Sequence, residues 1–146
     1  MISKAQRIAN LLRIVSGSDK RIRPTSALIV AADSSSRMGE TGGVTKQHLE
    51  LLGIPVVVRS LLAFEQCELI SETVVVARAD ELAIYDEYKI KYGLTKLKNV
   101  VPGGETRQAS VLQGFEAISP KSDFVAIHDG ARCLVTPEIK IGRAHV

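Results

Sequence analysis

Buried strands alternating with amphipathic helices from residue 26 onward predict a three-layer α/β fold with a doubly wound, mostly parallel sheet. Three observations carry that expectation. The runs Leu28-Ile29-Val30-Ala31-Ala32, Thr73-Val74-Val75-Val76-Ala77 and Phe124-Val125-Ala126-Ile127 are almost continuously apolar, as strands covered on both faces are. Apolar residues at helical spacing fill the intervals between them. Strand ends give way to small, glycine-rich or polar turns, and in parallel sheets ligands sit beyond the carboxyl ends.

Taken in order, Ile8, Leu11, Leu12 and Val15 follow helical spacing and predict an amphipathic helix over residues 3–15. Ser16, Gly17, Ser18 and Pro24 mark a linker, so residues 1–25 stand apart from a domain over 26–140. After the first strand, Pro55 opens a helix at its first turn, with Val58, Leu61, Leu62 and Phe64 inward. Beyond the Thr73–Ala77 strand, Asp80 is expected to cap a helix from Glu81 to about Lys91, ended near Gly93. Val100-Val101 makes a short strand that stops at Pro102-Gly103-Gly104. Glu105 or Thr106 then starts a helix whose expected inner face is Val111, Leu112, Phe115 and Ile118. The Phe124–Ile127 strand runs into His128-Asp129-Gly130-Ala131-Arg132. Three strand ends, Ala32 to Lys46, Gly103 to Arg107 and Asp129 to Arg132, are therefore expected on one edge.

Composition narrows the function classes. Of 146 residues, 45% are hydrophobic and 24% charged, a globular balance. Aromatics make up 4% with no Trp, which argues against a stacking platform for single-stranded nucleic acid. The net charge of +3 is uneven: residues 1–25 sum to +5 and the rest to −2. A basic segment of this kind is a solvated helix face and linker, or an organellar transit peptide. No run approaches the about 18 apolar residues of a membrane span. Cys67 and Cys133 show neither metal-ligand spacing nor a disulfide framework, Cys67 reading as a buried thiol. A reducing, cytoplasmic setting follows.

The chemistry concentrates at the strand ends. Ala31-Ala32-Asp33-Ser34-Ser35 lets backbone approach a ligand and aim N–H groups at phosphate oxygens, while Arg37 and Lys46 supply positive charge for a polyphosphate. Alone, such a loop is equally a solvated turn; it is not a Walker loop, because no Gly-Lys-Ser/Thr is present. Asp129, just past a strand, is placed to meet a nucleotide's Mg²⁺, or else caps a turn. Alternation turns His128 to the other side, as a structural histidine. Gly103-Gly104 permits close backbone approach to a base edge, and Ser110 can add a hydrogen bond. Arg107 can pair with a phosphate or with Glu105; taken alone, this stretch is a plain helix N-terminus.

Together, Ala31-Ala32-x-x-Ser35-x-Arg37-Met38-Gly39, Lys46-Gln47, Gly103-Gly104-x-x-Arg107-x-x-Ser110-Val111 and His128-Asp129-x-Ala131-Arg132 with Thr136-Pro137-Glu138 resemble the 2-C-methyl-D-erythritol 4-phosphate cytidylyltransferases. The likeness covers about residues 26–140. It implies a Rossmann-like nucleotidyltransferase that moves CMP from CTP to methylerythritol phosphate with Mg²⁺, by in-line attack without a covalent intermediate. By the same likeness Arg37 and Lys46 are catalytic, holding the triphosphate. Ala31, Ala32, Asp33, Ser35, Gly103, Gly104, Glu105, Ser110, Asp129 and Gly130 bind CTP. Asp129 takes the metal, and Arg132 meets the acceptor phosphate.

Three departures from the family pattern stand out. Asp33 replaces a Gly, Cys133 replaces a Pro, and an extra Gly42-Gly43 before Lys46 implies a mobile flap. The family also continues beyond this sequence with further strands, a second acidic metal ligand and a dimer-forming arm lining the acceptor site. The expectation is therefore the N-terminal portion, inactive by itself, of a homodimeric enzyme. Ile141-Gly142-Arg143-Ala144-His145-Val146 is what ATC-GGA-AGA-GCA-CAC-GTC encodes, the opening of a widely used short-read sequencing adapter, so 141–146 is read as an artefact. A cytidylyltransferase for another polyol phosphate such as ribitol phosphate, or a nucleotide-binding module without turnover, are the alternatives.

Overall fold

The computed structural model describes residues 23–32, 45–132 and the backbone of 144–145. Strand β1 (Thr25–Ala31) is the centre of the molecule. It pairs in parallel with β4 (Ile70–Ala77) on one side and β6 (Phe124–Asp129) on the other. β5 (Leu97–Pro102) extends the sheet beyond β4, also in parallel. Ala144–His145 (β7) lies antiparallel along β6, giving the order β5-β4-β1-β6-β7. A separate two-residue hairpin, β2 (Glu50–Leu51) with β3 (Ile54–Pro55), precedes the first described helix. The predicted parallel α/β sheet is present, and each apolar run lies within a strand except Ala32, which follows the end of β1.

Alternation along β1 divides its side chains between two cores. Ala27, Ile29 and Ala31 join Val57, Val58, Leu61, Phe64, Val75, Ala77 and Tyr85 under helices α1 (Val56–Glu65) and α2 (Ile84–Tyr92). Leu28 joins Val74 and Val76 under α3 (Arg107–Ala117). Each fully buried Leu or Val of this kind contributes about 1.5–3 kcal/mol. Cys67 is buried in the larger core, as its apolar context predicts.

Helix α3 corrects the sequence reading. Leu112 is 62% and Phe115 40% exposed, while Ser110 and Gly114 are the buried positions. A Cβ at Gly114 would fall 2.2 Å from Leu28 Cδ1 and 2.7 Å from Val76 Cγ2. The helix backbone thus lies directly on the sheet at Gly114, while Val111 and Ile118, two of the four expected inner residues, do pack against the same core.

Two helix starts also shift. Pro55 precedes α1 rather than opening it, because it still pairs with Glu50 in the hairpin. Asp80 does not cap α2: a 3₁₀ turn over Ala79–Glu81 comes first and the helix begins at Ile84. The Asp80 carboxylate is taken by the Arg78 guanidinium in a two-pronged pair at 2.9 and 3.1 Å. Gly93 ends α2 with φ of 65°, the left-handed conformation that glycine supplies at helix ends.

The amino edge of the sheet is sealed by two carboxylates. Buried Glu72 accepts from Ser26 Oγ at 2.6 Å and from the Ser119 N–H at 2.7 Å. Glu65, at the end of α1, accepts from the N–H groups of Thr95 and Lys96 at 3.0 and 2.9 Å and from the Thr95 hydroxyl. The expected 3–15 helix and most of the linker before Pro24 fall outside the described residues. Among the described residues no helix is long and apolar enough to cross a membrane.

Candidate functional site

The carboxyl ends of the strands lie level. Ala31 pairs with Ala77, Ala77 with Pro102, and Val30 with Asp129, so the segments leaving β1, β4, β5 and β6 start from one edge. Gly103 stays on that edge because its N–H donates to the Ala77 carbonyl at 2.9 Å. It lies against the end of β1: a Cβ there would sit 2.4 Å from Ala32 Cβ and 2.8 Å from Ser110 Oγ. Gly104 is equally confined, its imagined Cβ 2.5 Å from Ala109 Cβ. Both positions need glycine for want of space.

Helix α3 holds this loop from behind. Thr106 caps it, accepting the Ala109 N–H at 3.0 Å, and buried Ser110 accepts the Gly104 N–H at 3.1 Å. The Ser110 oxygen therefore shapes the glycine pair. Glu105 and Arg107 are exposed at the helix start.

At the end of β6, the Gly130 N–H donates to the Val30 carbonyl at 2.9 Å, and a Cβ at Gly130 would stand 3.0 Å from Ala31 Cβ. Ala31-Ala32 is thus flanked by Gly103 and Gly130. Asp129 Oδ1 accepts the Ala131 N–H at 3.1 Å, and Oδ2 lies 4.0 Å from Arg132 Nε on a mostly exposed side chain. His128 turns the other way, its ring edge-on to Phe64 and its Nε2 donating to the Arg132 carbonyl at 2.8 Å. Ser60 Oγ donates to the same carbonyl at 3.0 Å. His128 thus packs against α1, as a residue that alternation turns away from Asp129 would.

Lys46 opens a 3₁₀ turn, Lys46–His48. Thr45 Oγ1 donates to Glu81 Oε1, and His48 Nε2 meets Glu81 Oε2, both at 2.9 Å. Glu81 belongs to the short turn that follows β4, so these bonds tie Lys46's turn to the carboxyl edge. Tyr88 O–H lies 2.9 Å from His48 Nδ1, and burial first, then neighbouring Tyr92 and acidic groups, pushes the phenol up to about 12. Tyr88 therefore keeps its proton at neutral pH. Gln47 is fully buried, and neither of its amide atoms has a hydrogen-bond partner among the described residues.

A family profile adds the decisive observation: that of IspD, 2-C-methyl-D-erythritol 4-phosphate cytidylyltransferase, matches residues 25–143. The chain belongs to this cytidylyltransferase family. It is 38% identical over 114 residues to the 2-C-methyl-D-erythritol 4-phosphate cytidylyltransferase of Clostridium botulinum (strain 657 / Type Ba4), covering 78% of this chain and 49% of that one. The Geobacter metallireducens protein of the same name is 40% identical over 122 residues, covering 81% and 51%. The crystal structure of 4-diphosphocytidyl-2C-methyl-D-erythritol synthase from Anaerococcus prevotii superposes with a TM-score of 0.66 at 28% identity, over 80% of this chain and 47% of that one. The chain thus spans about half the length of the curated relatives it matches.

Of the residues by which the sequence resembles the cytidylyltransferases, the structure brings Ala31, Ala32, Gly103, Gly104, Ser110, Asp129, Gly130 and Arg132 to the carboxyl edge, with Lys46 tied there through Glu81. Asp33, Ser35, Arg37, the Gly42-Gly43 insertion, Cys133 and Thr136-Pro137-Glu138 lie outside the described residues. Thr45, His48 and Glu81 were not singled out by the sequence. Glu81 reads there as the first turn of a helix, and nothing local signals a partner 33 to 36 positions away. Among the described residues no group of three His, Cys, Asp or Glu side chains could hold a metal ion.

Proposed function

We propose that the full-length protein transfers CMP from CTP to 2-C-methyl-D-erythritol 4-phosphate and releases pyrophosphate. The observation that carries this reading is the glycine-walled edge: Gly103 against Ala32 and Gly130 against Ala31, with Asp129 beside them. Backbone there can approach a nucleotide as no side-chain-bearing loop could.

In this reading Ala31, Ala32, Asp33 and Ser35 line the triphosphate, and Gly103, Gly104 and Glu105 face cytosine on the loop that Ser110 supports. Gly130 lets the β6 turn lie against β1. An acceptor phosphate oxygen attacks the α-phosphorus in line, the bond to the bridging oxygen breaks, and pyrophosphate leaves with that electron pair. Arg37 and Lys46 stabilise the charge gathering on the leaving group, and Arg132 orients the acceptor phosphate. Asp129 fits a divalent cation in one respect: Oδ1 is engaged by a backbone N–H, and Oδ2 meets only a guanidinium at 4.0 Å. Mg²⁺ commonly takes one or two carboxylates and fills its shell with phosphate oxygens and water, so one Asp in this half of the protein is sufficient as a start. When bound, the ion would neutralise phosphate charge.

A homodimer, a cytoplasmic location and a CTP-binding domain over 26–140 belong to the same proposal, supported by family membership. Residues 141–146 we hold to be adapter-derived. An extended dipeptide such as β7 can pair with an open strand edge through backbone alone. A genomic locus that continues in these codons would refute that origin.

The deciding experiment is pyrophosphate release from CTP and methylerythritol phosphate by the full-length protein. Turnover lost by about 10²-fold or more in Lys46→Ala and in Asp129→Ala is expected. CTP binding without turnover in the wild type would instead favour a nucleotide-binding module. Turnover with ribitol phosphate alone would favour another acceptor.

A further inference from the structure

The turn that carries Lys46 is too short to hold itself. The His48 N–H donates to the Thr45 carbonyl at 3.0 Å, and the Thr45 side chain caps none of the turn's own N–H groups. What fixes it comes from outside. One carboxylate, Glu81, receives the side chain just before the lysine and the side chain two places after it, each at 2.9 Å. The contact is well shielded, with His48 and Glu81 side chains 7% and 16% exposed and Thr45 buried.

The chemistry of the three groups leaves little freedom. A carboxylate only accepts, so Thr45 O–H and His48 Nε2–H are the donors. In the neutral imidazole Nδ1 is then the acceptor, and Tyr88 O–H fills it. The rings of Tyr85 and Tyr88 close on His48 with centroids 5.6 and 5.8 Å away. A lysine carries a flexible four-carbon stem, so backbone placement is the part of its aim that the fold can control.

We propose that Glu81 is a positioning residue for Lys46, its carboxylate clamping both ends of the turn so that the ammonium group stands over the nucleotide's phosphates. The proposal rests on the reading of Lys46 as a triphosphate ligand. Glu81 follows β4, so the clamp references Lys46 to the same edge that carries Gly103 and Asp129. It also links the lysine to α2, through Tyr85 and Tyr88.

The test is CTP affinity of the full-length protein by titration calorimetry, with thermal unfolding as the folding control. Glu81→Ala should weaken CTP about tenfold, a change equivalent to 1.4 kcal/mol. Glu81→Gln should stay near wild type, because the amide oxygen can accept from His48 and the amide nitrogen can donate to the Thr45 oxygen. Should Glu81→Ala fail to fold, Thr45→Val removes one arm only and should weaken CTP about threefold. The discriminating arm is the double variant: Glu81→Ala added to Lys46→Ala should weaken CTP no further than Lys46→Ala alone. Wild-type affinity in folded Glu81→Ala, or an equal further loss in the Lys46→Ala background, overturns the clamp alone. Wild-type affinity in Lys46→Ala overturns the ligand role of the lysine and the clamp with it.

Discussion

Polar groups gather at both edges of the sheet, and the two edges use them in opposite ways. At the amino edge, Glu72 and Glu65 turn inward onto backbone N–H groups of Ser119, Thr95 and Lys96. At the carboxyl edge the Gly103, Gly104 and Gly130 N–H groups also find acceptors within the chain, but Asp129 Oδ2 stands 4.0 Å from an exposed guanidinium and the buried Gln47 amide has no hydrogen-bond partner among the described residues. A carboxylate enclosed by donors of its own chain, like Glu72, is structural. A carboxylate with one oxygen only lightly engaged, like Asp129, has capacity left for a further partner.

The comparison breaks most easily at Glu72. Removing its carboxylate takes the acceptor from the part-buried Ser119 N–H and leaves the Ser26 hydroxyl with Ser122 alone, so Glu72→Ala should cost about 2 kcal/mol in urea unfolding. CTP affinity of the folded fraction should stay unchanged; a weakened affinity there would erase the distinction between the edges. Gly103→Ala should show the converse pattern. Its methyl group has no room against Ala32, so we expect about a tenfold loss of CTP affinity with about 1–2 kcal/mol lost in stability. A variant that binds CTP normally would show that the glycine wall is not part of the nucleotide site.

Gln47→Met sharpens the contrast by sign. Replacing an unsatisfied buried amide with an apolar side chain of similar shape should raise stability by about 1 kcal/mol. A lower unfolding midpoint would mean that the amide has a partner after all. The smallest effect belongs to Glu65. Burial raises its pKa, but hydrogen bonds from Thr95 and Lys96 outweigh it and leave the group below the ordinary value of 4.5. A depressed carboxylate contributes stability that is complete above its unfolded pKa and is lost as pH falls through the folded one. Glu65→Gln should therefore flatten the acid limb of the stability curve below pH 4.5. An unchanged limb would remove Glu65 from the set of groups that seal the amino edge.

These edges were unequally legible in the sequence. The strands were plain, because double burial writes itself as an unbroken apolar run. His128 was plain too, since alternation alone separates it from Asp129. The inner face of helix α3 was read correctly at Val111 and Ile118 but misread at Leu112 and Phe115, because hydrophobic periodicity rewards large side chains. A helix seated directly on a sheet buries its small ones, here Ser110 and Gly114. The Asp80 cap failed because a guanidinium two residues away competes for the same carboxylate. Glu72 and Glu81 were invisible for a common reason. Their partners lie 33 to 50 residues distant, and a single carboxylate in a polar stretch reads as surface until the fold closes around it.

The central position of β1 has a consequence for how the chain is made. Thr25 finds Ile70 on one flank and Phe124 on the other, so the strand's second neighbour lies about a hundred residues downstream. Parallel pairing at such separation is slow, because the loop must close before any contact rewards it. During synthesis β1 leaves the ribosome early and must wait for β6. The central strand of the finished molecule keeps one flank open until about a hundred further residues have been made.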